Sequence, residues 1–221
     1  MNLERRLVKG FINTPNYKSK SCKFNFMIEI IINSLEKTKN KIDIQLNNFP
    51  NKQGIYAFYL SESANLFEFG KEGQLIYLGI SNKSLKQREI TEHLKSGATG
   101  KSSLRRSLGA ILKKRFNLTA IPRGGENDTK KFTNYKFIEE VDLTNWMIEN
   151  LWISYYAFNL SVENNKIRDL EKHLTLQLKP TLDLDIRTRK FNPLAKKIIA
   201  LRKLCCLEAE QNKYFDLCSN Q

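Results

Sequence analysis

Two tyrosines flanked by glycines, an arginine, a histidine and a glutamate are the residues of this chain whose types and order suit chemistry. They are Tyr56 in Gly54-Ile55-Tyr56, Tyr77 in Tyr77-Leu78-Gly79, then Arg88, His93 and Glu171. Hydrolysing a phosphate diester needs a base for the attacking water, fixed positive charge for the phosphoryl oxygens and a metal ion or proton for the leaving oxygen. A guanidinium stays charged in any protein environment, which suits Arg88 to a phosphate. Glu171 offers oxygen to a hard cation, and Mg²⁺ often takes one carboxylate together with phosphate and water. A phenol has a pKa of about 10, so Tyr56 acts as a base at neutral pH only where a metal, Arg88 or His93 favours the phenolate, or where His93 takes the proton onward. Each residue also has a plain reading. Strand tyrosines are ordinarily core residues, an arginine on a basic helix is ordinarily solvated, and a glutamate beside an apolar stripe is ordinarily a helix-surface residue. The glycines either let backbone approach a ligand or mark a bulge or strand end.

The elements that must position these residues are legible in outline. Ile55 to Leu60 is apolar on both faces, the pattern of a central strand, and Leu75 to Ile80 is a second strand after a long connection containing Gly70 and Gly73. Ser84 to Ser96 reads as a helix capped by Ser84, with Gly97 beyond its end, and it carries both Arg88 and His93. Five residues on a regular helix leave that pair about 140° apart. A π-turn brings positions i and i+5 toward one face. An i to i+5 hydrogen bond is therefore expected within residues 88 to 94, with His93 near the Tyr56 hydroxyl. A second helix is expected from Ser102 or Ser103 to Phe116, a loop over residues 121 to 134, a short strand over 136 to 141 and a short helix over 144 to 150. An aromatic strand follows at 152 to 158, then a helix with Ile167, Leu170, Leu174 and Leu178 on one side, Glu171 at the rim, and Pro180 as its end. A polar arm over residues 1 to 21, an outlying helix from Cys22 to Lys37 and a basic helix from Pro193 to about Leu207 complete the chain.

In order and spacing, the two tripeptides on adjacent strands, the basic helix and the later glutamate on a helix ending in Lys179-Pro180 resemble the GIY-YIG nuclease family. The resemblance covers roughly residues 50 to 185, with residues 97 to 150 as an insertion. It implies an α/β fold: a small three-stranded antiparallel sheet flanked by helices, with a basic helical insertion and helical N- and C-terminal extensions. The corresponding division is 1–50 (arm and helix), 51–185 (nuclease-like domain) and 186–221 (basic helix). It also implies cleavage of DNA phosphodiester bonds with Mg²⁺ or Mn²⁺, with Tyr56, Tyr77, Arg88, His93 and Glu171 as catalytic residues. Glu171 would be the metal ligand, and Gly54, Gly79 and Asp183 would be supporting residues. The chain departs from the family pattern in three places. His93 follows Arg88 by five positions where four is usual, Ile80 stands where polar or basic residues are common, and Asp183 stands where asparagine is common. Asp183 is then either a second carboxylate near the metal or a local cap.

Charge points to the same class of partner. The chain has 37 Lys and Arg against 23 Asp and Glu, a formal +14, which resists compaction and fits a polyanion such as nucleic acid or an acidic membrane face. Residues 86 to 131 hold twelve of the basic residues against four acidic ones. Arg105, Arg106, Lys113 and Lys114 lie there on the helix after Ser102, which also carries Leu104, Leu108 and Leu112, and they are the expected DNA contacts. No apolar run approaches the ~20 residues of a membrane span, and no signal core follows the N-terminal charges, so a soluble, cytoplasmic protein is expected. Three of the four cysteines fall in the last 17 residues without C-x-x-C spacing, the pattern of reduced, incidental thiols. The expected function is a Mg²⁺-dependent DNA endonuclease. Restriction or defence is the most economical role for a stand-alone enzyme of this kind, and homodimerisation is left open. The alternative is a catalytically inactive nucleic-acid-binding module on the same fold.

Overall fold

The computed structural model describes residues 17–45, 47–88 and 92–213, with side chains from Phe24 onward. Residues 1–16 of the expected arm, and residues 89–91 across which the expected i to i+5 hydrogen bond would run, lie outside the described residues, as does Cys218. The chain forms α1 (Tyr17–Thr38), β1 (Asn40–Lys41), α2 (Ile42–Gln45), β2 (Gly54–Leu60), β3 (Leu75–Ser81) and α3 (Leu85–Arg88). Then come α4 (Ser103–Leu112), β4 (Thr119–Ile121), β5 (Lys136–Ile138), α5 (Val141–Asn150), β6 (Leu151–Ala157), α6 (Asn164–Leu178) and α7 (Ala195–Gln211).

The main sheet is antiparallel throughout, in the order β1-β6-β2-β3. The three strands expected from the sequence are its body, and the two-residue β1 adds an edge. All seven residues of β2 are buried, because the strand has a partner on each side and a helical layer on each face. The strand period of two divides its side chains between two cores. Ile55, Ala57 and Tyr59 pack with Met27, Ile31 and Leu35 of α1 and with Ile167, Leu170 and Leu174 of α6. Tyr56, Phe58 and Leu60 face the other way, toward Leu104 and Leu108 of α4, Trp146 and Met147 of α5, and Ile198 of α7.

Two expectations change here. The helix read as outlying, α1, is a structural layer of the sheet, since its Met27, Ile28, Ile31 and Leu35 are buried against it. The C-terminal helix is likewise built in: Glu208 accepts from the Ala120 backbone N–H at 3.2 Å, and Asn212 donates to the Ala120 carbonyl at 3.0 Å. The inserted stretch and α7 thus wall in the face of the sheet that carries Tyr56. Among the described residues no helix is long and apolar enough to cross a membrane.

Candidate active site

Tyr56 points from the middle of β2 into the walled face and is fully buried. Its cross-strand partner is Gly79, and a Cβ at that position would come within 2.5 Å of the Tyr56 Cζ. Gly54 has a comparable reason: a Cβ there would lie 2.3 Å from the Tyr156 carbonyl oxygen and 2.5 Å from Leu85 Cδ1, so a bare backbone lets β6 and α3 close on β2. Both glycines serve a close approach of protein to protein.

Helix α3 begins where Ser84 Oγ accepts the Gln87 N–H at 3.1 Å, and it is described as far as Arg88. Arg88 Nε donates to Tyr56 Oη at 3.3 Å, and its guanidinium forms an ion pair with Glu92. Glu92 and His93 are π-helical, and the turn delivers His93 to the same hydroxyl: His93 Nε2 lies 2.7 Å from Tyr56 Oη. On its other side His93 Nδ1 lies 2.7 Å from Ser102 Oγ. Tyr77 completes the group, with its ring centroid 6.3 Å from that of Tyr56 and 5.9 Å from that of His93. Burial holds the His93 imidazole well below the usual histidine range, and the nearby positive charges of Arg88 and Arg105 push the same way. The imidazole is therefore neutral at physiological pH. A cleft of about 480 Å³, lined in part by Ile80, Asn82, Lys83, Arg88 and Glu92, lies on the Arg88 side of this group, while Tyr56 and His93 themselves are buried.

Glu171 stands in a second cluster. Helix α6 packs on the opposite sheet face from Tyr56, and at its rim Glu171 accepts a 2.7 Å hydrogen bond from Arg187 Nη2. Arg187 also pairs with Asp185 and donates to the Arg168 carbonyl. Asp183 accepts from Thr175 Oγ1 at 3.1 Å and from the Asp185 N–H at 2.9 Å, so it serves as a local cap. Burial pushes the Glu171 carboxyl up to about 7, helped by the neighbouring Asp183 and Asp185 and opposed by Arg187. Among the described residues no three potential ligands are placed to hold a metal ion together. A half-buried carboxylate whose neighbours are carboxylates nevertheless fits a hard cation, with phosphate and water completing the shell.

The family model for the GIY-YIG catalytic domain matches residues 24–204. The chain belongs to the GIY-YIG family. No curated protein and no solved structure matches the chain. The family's domain is a nuclease domain, so the activity class is cleavage of nucleic acid. The match begins within α1 and ends within α7, wider than residues 50 to 185, and it takes in both helices that wall the GIY-YIG sheet.

The DNA contacts expected on α4 need correction. Ser102 caps this helix by accepting the Arg105 N–H at 3.0 Å, and the helix is then buried on nearly every side. Arg105 is 0% exposed, with Nε 3.0 Å from Glu140 Oε2 and Nη2 2.8 Å from Thr144 Oγ1. Arg106 is 9% exposed and donates to the Thr99 and Gly100 carbonyls. Lys113 bonds to Glu208 and to the Leu118 carbonyl, and Lys114 alone of the four is exposed. Sequence reasoning missed Ser102 and Glu140 as neighbours of this GIY-YIG site and Arg187 as the partner of Glu171. Only the Asp185-x-Arg187 spacing after the helix offered a signal for the last of these.

Proposed function

We propose that this chain is a divalent-metal-dependent DNA endonuclease in which Tyr56 is the base. The observation that carries the reading is the convergence of Arg88 Nε and His93 Nε2 on Tyr56 Oη beside an open cleft. Charge donated toward a phenol oxygen favours its ionised form, which is the form that takes a proton from water. In the step proposed, the phenolate of Tyr56 takes a proton from water as the water oxygen bonds to phosphorus. The bond from phosphorus to the leaving oxygen breaks, and that oxygen takes a proton from solvent. Arg88 faces the charge that builds on the phosphoryl oxygens. Tyr77 packs against Tyr56 and His93 and fixes their rings. Glu171 would hold Mg²⁺ or Mn²⁺, and the ion would supply Lewis-acid stabilisation of a bound phosphoryl oxygen. Lys83 at the cleft and the exposed Lys114 are the basic side chains offered to the DNA backbone. Restriction or defence is the biological role proposed.

A silent binding module is the second reading, and the engagement of Glu171 by Arg187 favours it. Incubating the purified protein with plasmid and short duplex DNA, with Mg²⁺, Mn²⁺ or EDTA, separates the two. The nuclease reading expects cutting with metal only, and loss of cutting with retained DNA binding in Glu171→Ala. Metal-dependent cutting by the purified Glu171→Ala variant removes Glu171 from the mechanism. Salt-sensitive DNA binding by a wild-type protein that never cuts supports the silent module.

A further inference from the structure

Ser102, His93 and Arg105 are all fully buried, so each polar hydrogen among them must find a partner within the protein. Ser102 Oγ has one proton to give and lone pairs to receive with. It already accepts the Arg105 N–H at 3.0 Å, and its other contact is His93 Nδ1 at 2.7 Å. If the imidazole carried its proton on Nδ1, Ser102 would accept twice and its own proton would be left buried without an acceptor, at a cost of about 1–3 kcal/mol. If Ser102 donates to Nδ1, every group is paired: the imidazole proton sits on Nε2 and points 2.7 Å away at Tyr56 Oη. The Tyr56 oxygen then receives two N–H donors, one from His93 and one from Arg88.

We propose that Ser102 and Arg105 are positioning residues that hold His93 in the Nε2–H tautomer, so that His93 donates to Tyr56 Oη and stabilises its phenolate. Arg105 contributes twice. Its backbone N–H fixes Ser102 Oγ, and its Nη1 donates at 3.0 Å to the His93 carbonyl, where the chain leaves the π-turn. Glu140 locks the guanidinium that does this. The charged and titratable groups around His93 are Arg88 and Glu92 from its own segment, Tyr56 and Tyr77 from the sheet, and Arg105 from α4, neutralised by Glu140. Fully buried and with two cations nearby, the ring is a poor store for a proton and a good neutral donor. His93 is thus a prop for the phenolate, not a relay carrying its proton away. This inference rests on Tyr56 being the base.

The chain has two histidines, and they provide an internal contrast. His173 Nδ1 lies 2.7 Å from the Asp169 carbonyl, which can only accept, so neutral His173 carries its proton on Nδ1. In ¹⁵N-histidine NMR of the full chain, with His173→Gln for assignment, His93 should give the Nε2–H pattern and stay neutral as pH falls through the ordinary histidine range, while His173 gives the opposite tautomer. Ser102→Ala should shift the His93 population toward Nδ1–H. It should also move the alkaline inflection of the single-turnover cleavage profile upward by about one pH unit, a roughly tenfold loss of rate below it. Ser102→Thr, which keeps the hydroxyl, should restore both. An Nδ1–H signal for His93 in the wild type overturns the proposal without any variant. So does an unchanged His93 tautomer in folded Ser102→Ala. If the wild type cuts no DNA, the nuclease reading fails, and the tautomer signals alone then uphold or overturn the assignment of Ser102.

Discussion

Gly79 lies opposite Tyr56 in the ladder between β2 and β3, and the space left by its missing side chain is where the phenol sits. A Cβ on residue 79 would be 2.4 Å from Tyr56 Oη. The ring cannot swing aside, because Phe58, Tyr77 and His93 pack around it with centroids 6.1, 6.3 and 5.3 Å away.

Gly79→Ala should therefore disable the hydroxyl without touching it. Its single-turnover rate should fall roughly 10²- to 10⁴-fold, as for Tyr56→Phe, and overpacking should cost about 1–3 kcal/mol. The double variant should be no slower than the worse single one, since both act on the same oxygen. Rates on labelled duplex DNA and urea melts check this. Multiplying losses would place the effect of Gly79 elsewhere.

Stability in EDTA should depend on pH through two groups of opposite sign. The folded-state pKa of His93 lies below its ordinary value of about 6.5, so the unfolded chain takes up that proton first. Its contribution is present above about pH 6.5 and declines as pH falls, by up to about 1.4 kcal/mol per unit. Glu171 is raised from 4.5 to about 7, so its contribution is full below 4.5 and is lost as pH rises through about 7. Urea melts across this range should show the acid-side fall flattened in His93→Asn and the loss between pH 4.5 and 7 removed in Glu171→Gln.

Arg105→Ala and Lys114→Ala should separate burial from DNA contact. The first strands Glu140 as an unpaired buried charge and should cost about 3–5 kcal/mol. The second should leave stability within about 0.5 kcal/mol and reduce the salt slope of DNA binding by about one. Chemical denaturation and binding isotherms at several salt concentrations read both. A stable Arg105→Ala protein with a flatter slope would return Arg105 to the DNA surface.

Arg187→Gln, assayed without metal, should destabilise most above pH 7. There Glu171 ionises beside Asp183 and Asp185 with its guanidinium partner gone. Losing a hydrogen bond to a charged group there should cost about 1.5–3 kcal/mol. Near pH 5, where Glu171 is protonated, the cost should shrink. A loss independent of pH would tie Arg187 to the loop, through Asp185 and the Arg168 carbonyl, more than to Glu171.

Local patterns in the sequence were sufficient wherever one element decides the outcome. The doubly apolar run Ile55 to Leu60 is a central strand because both its faces need cover, and Pro180 follows the end of α6, where Lys179 turns left-handed at φ 51°. The spacing from Arg88 to His93 required a widened turn for both to reach Tyr56. His93 is π-helical and reaches that hydroxyl, although residues 89–91 between it and Arg88 lie outside the described ones.

What the sequence determined by itself is therefore the order of strands and helices, the family, and the set of side chains that gather at Tyr56. Only the tertiary structure decided the environment of each charge. Arg105 looks like a surface cation because periodicity records which side of α4 is apolar and is silent about α5, α7 and the inserted loop closing over the other sides. Glu171 looks like a helix-surface carboxylate beside an apolar stripe, and a loop brings Arg187 onto it. Charges interact over a few ångströms of space whatever their separation along the chain, so the partners of a buried charge are set by packing between elements and not by the neighbours that a sequence displays.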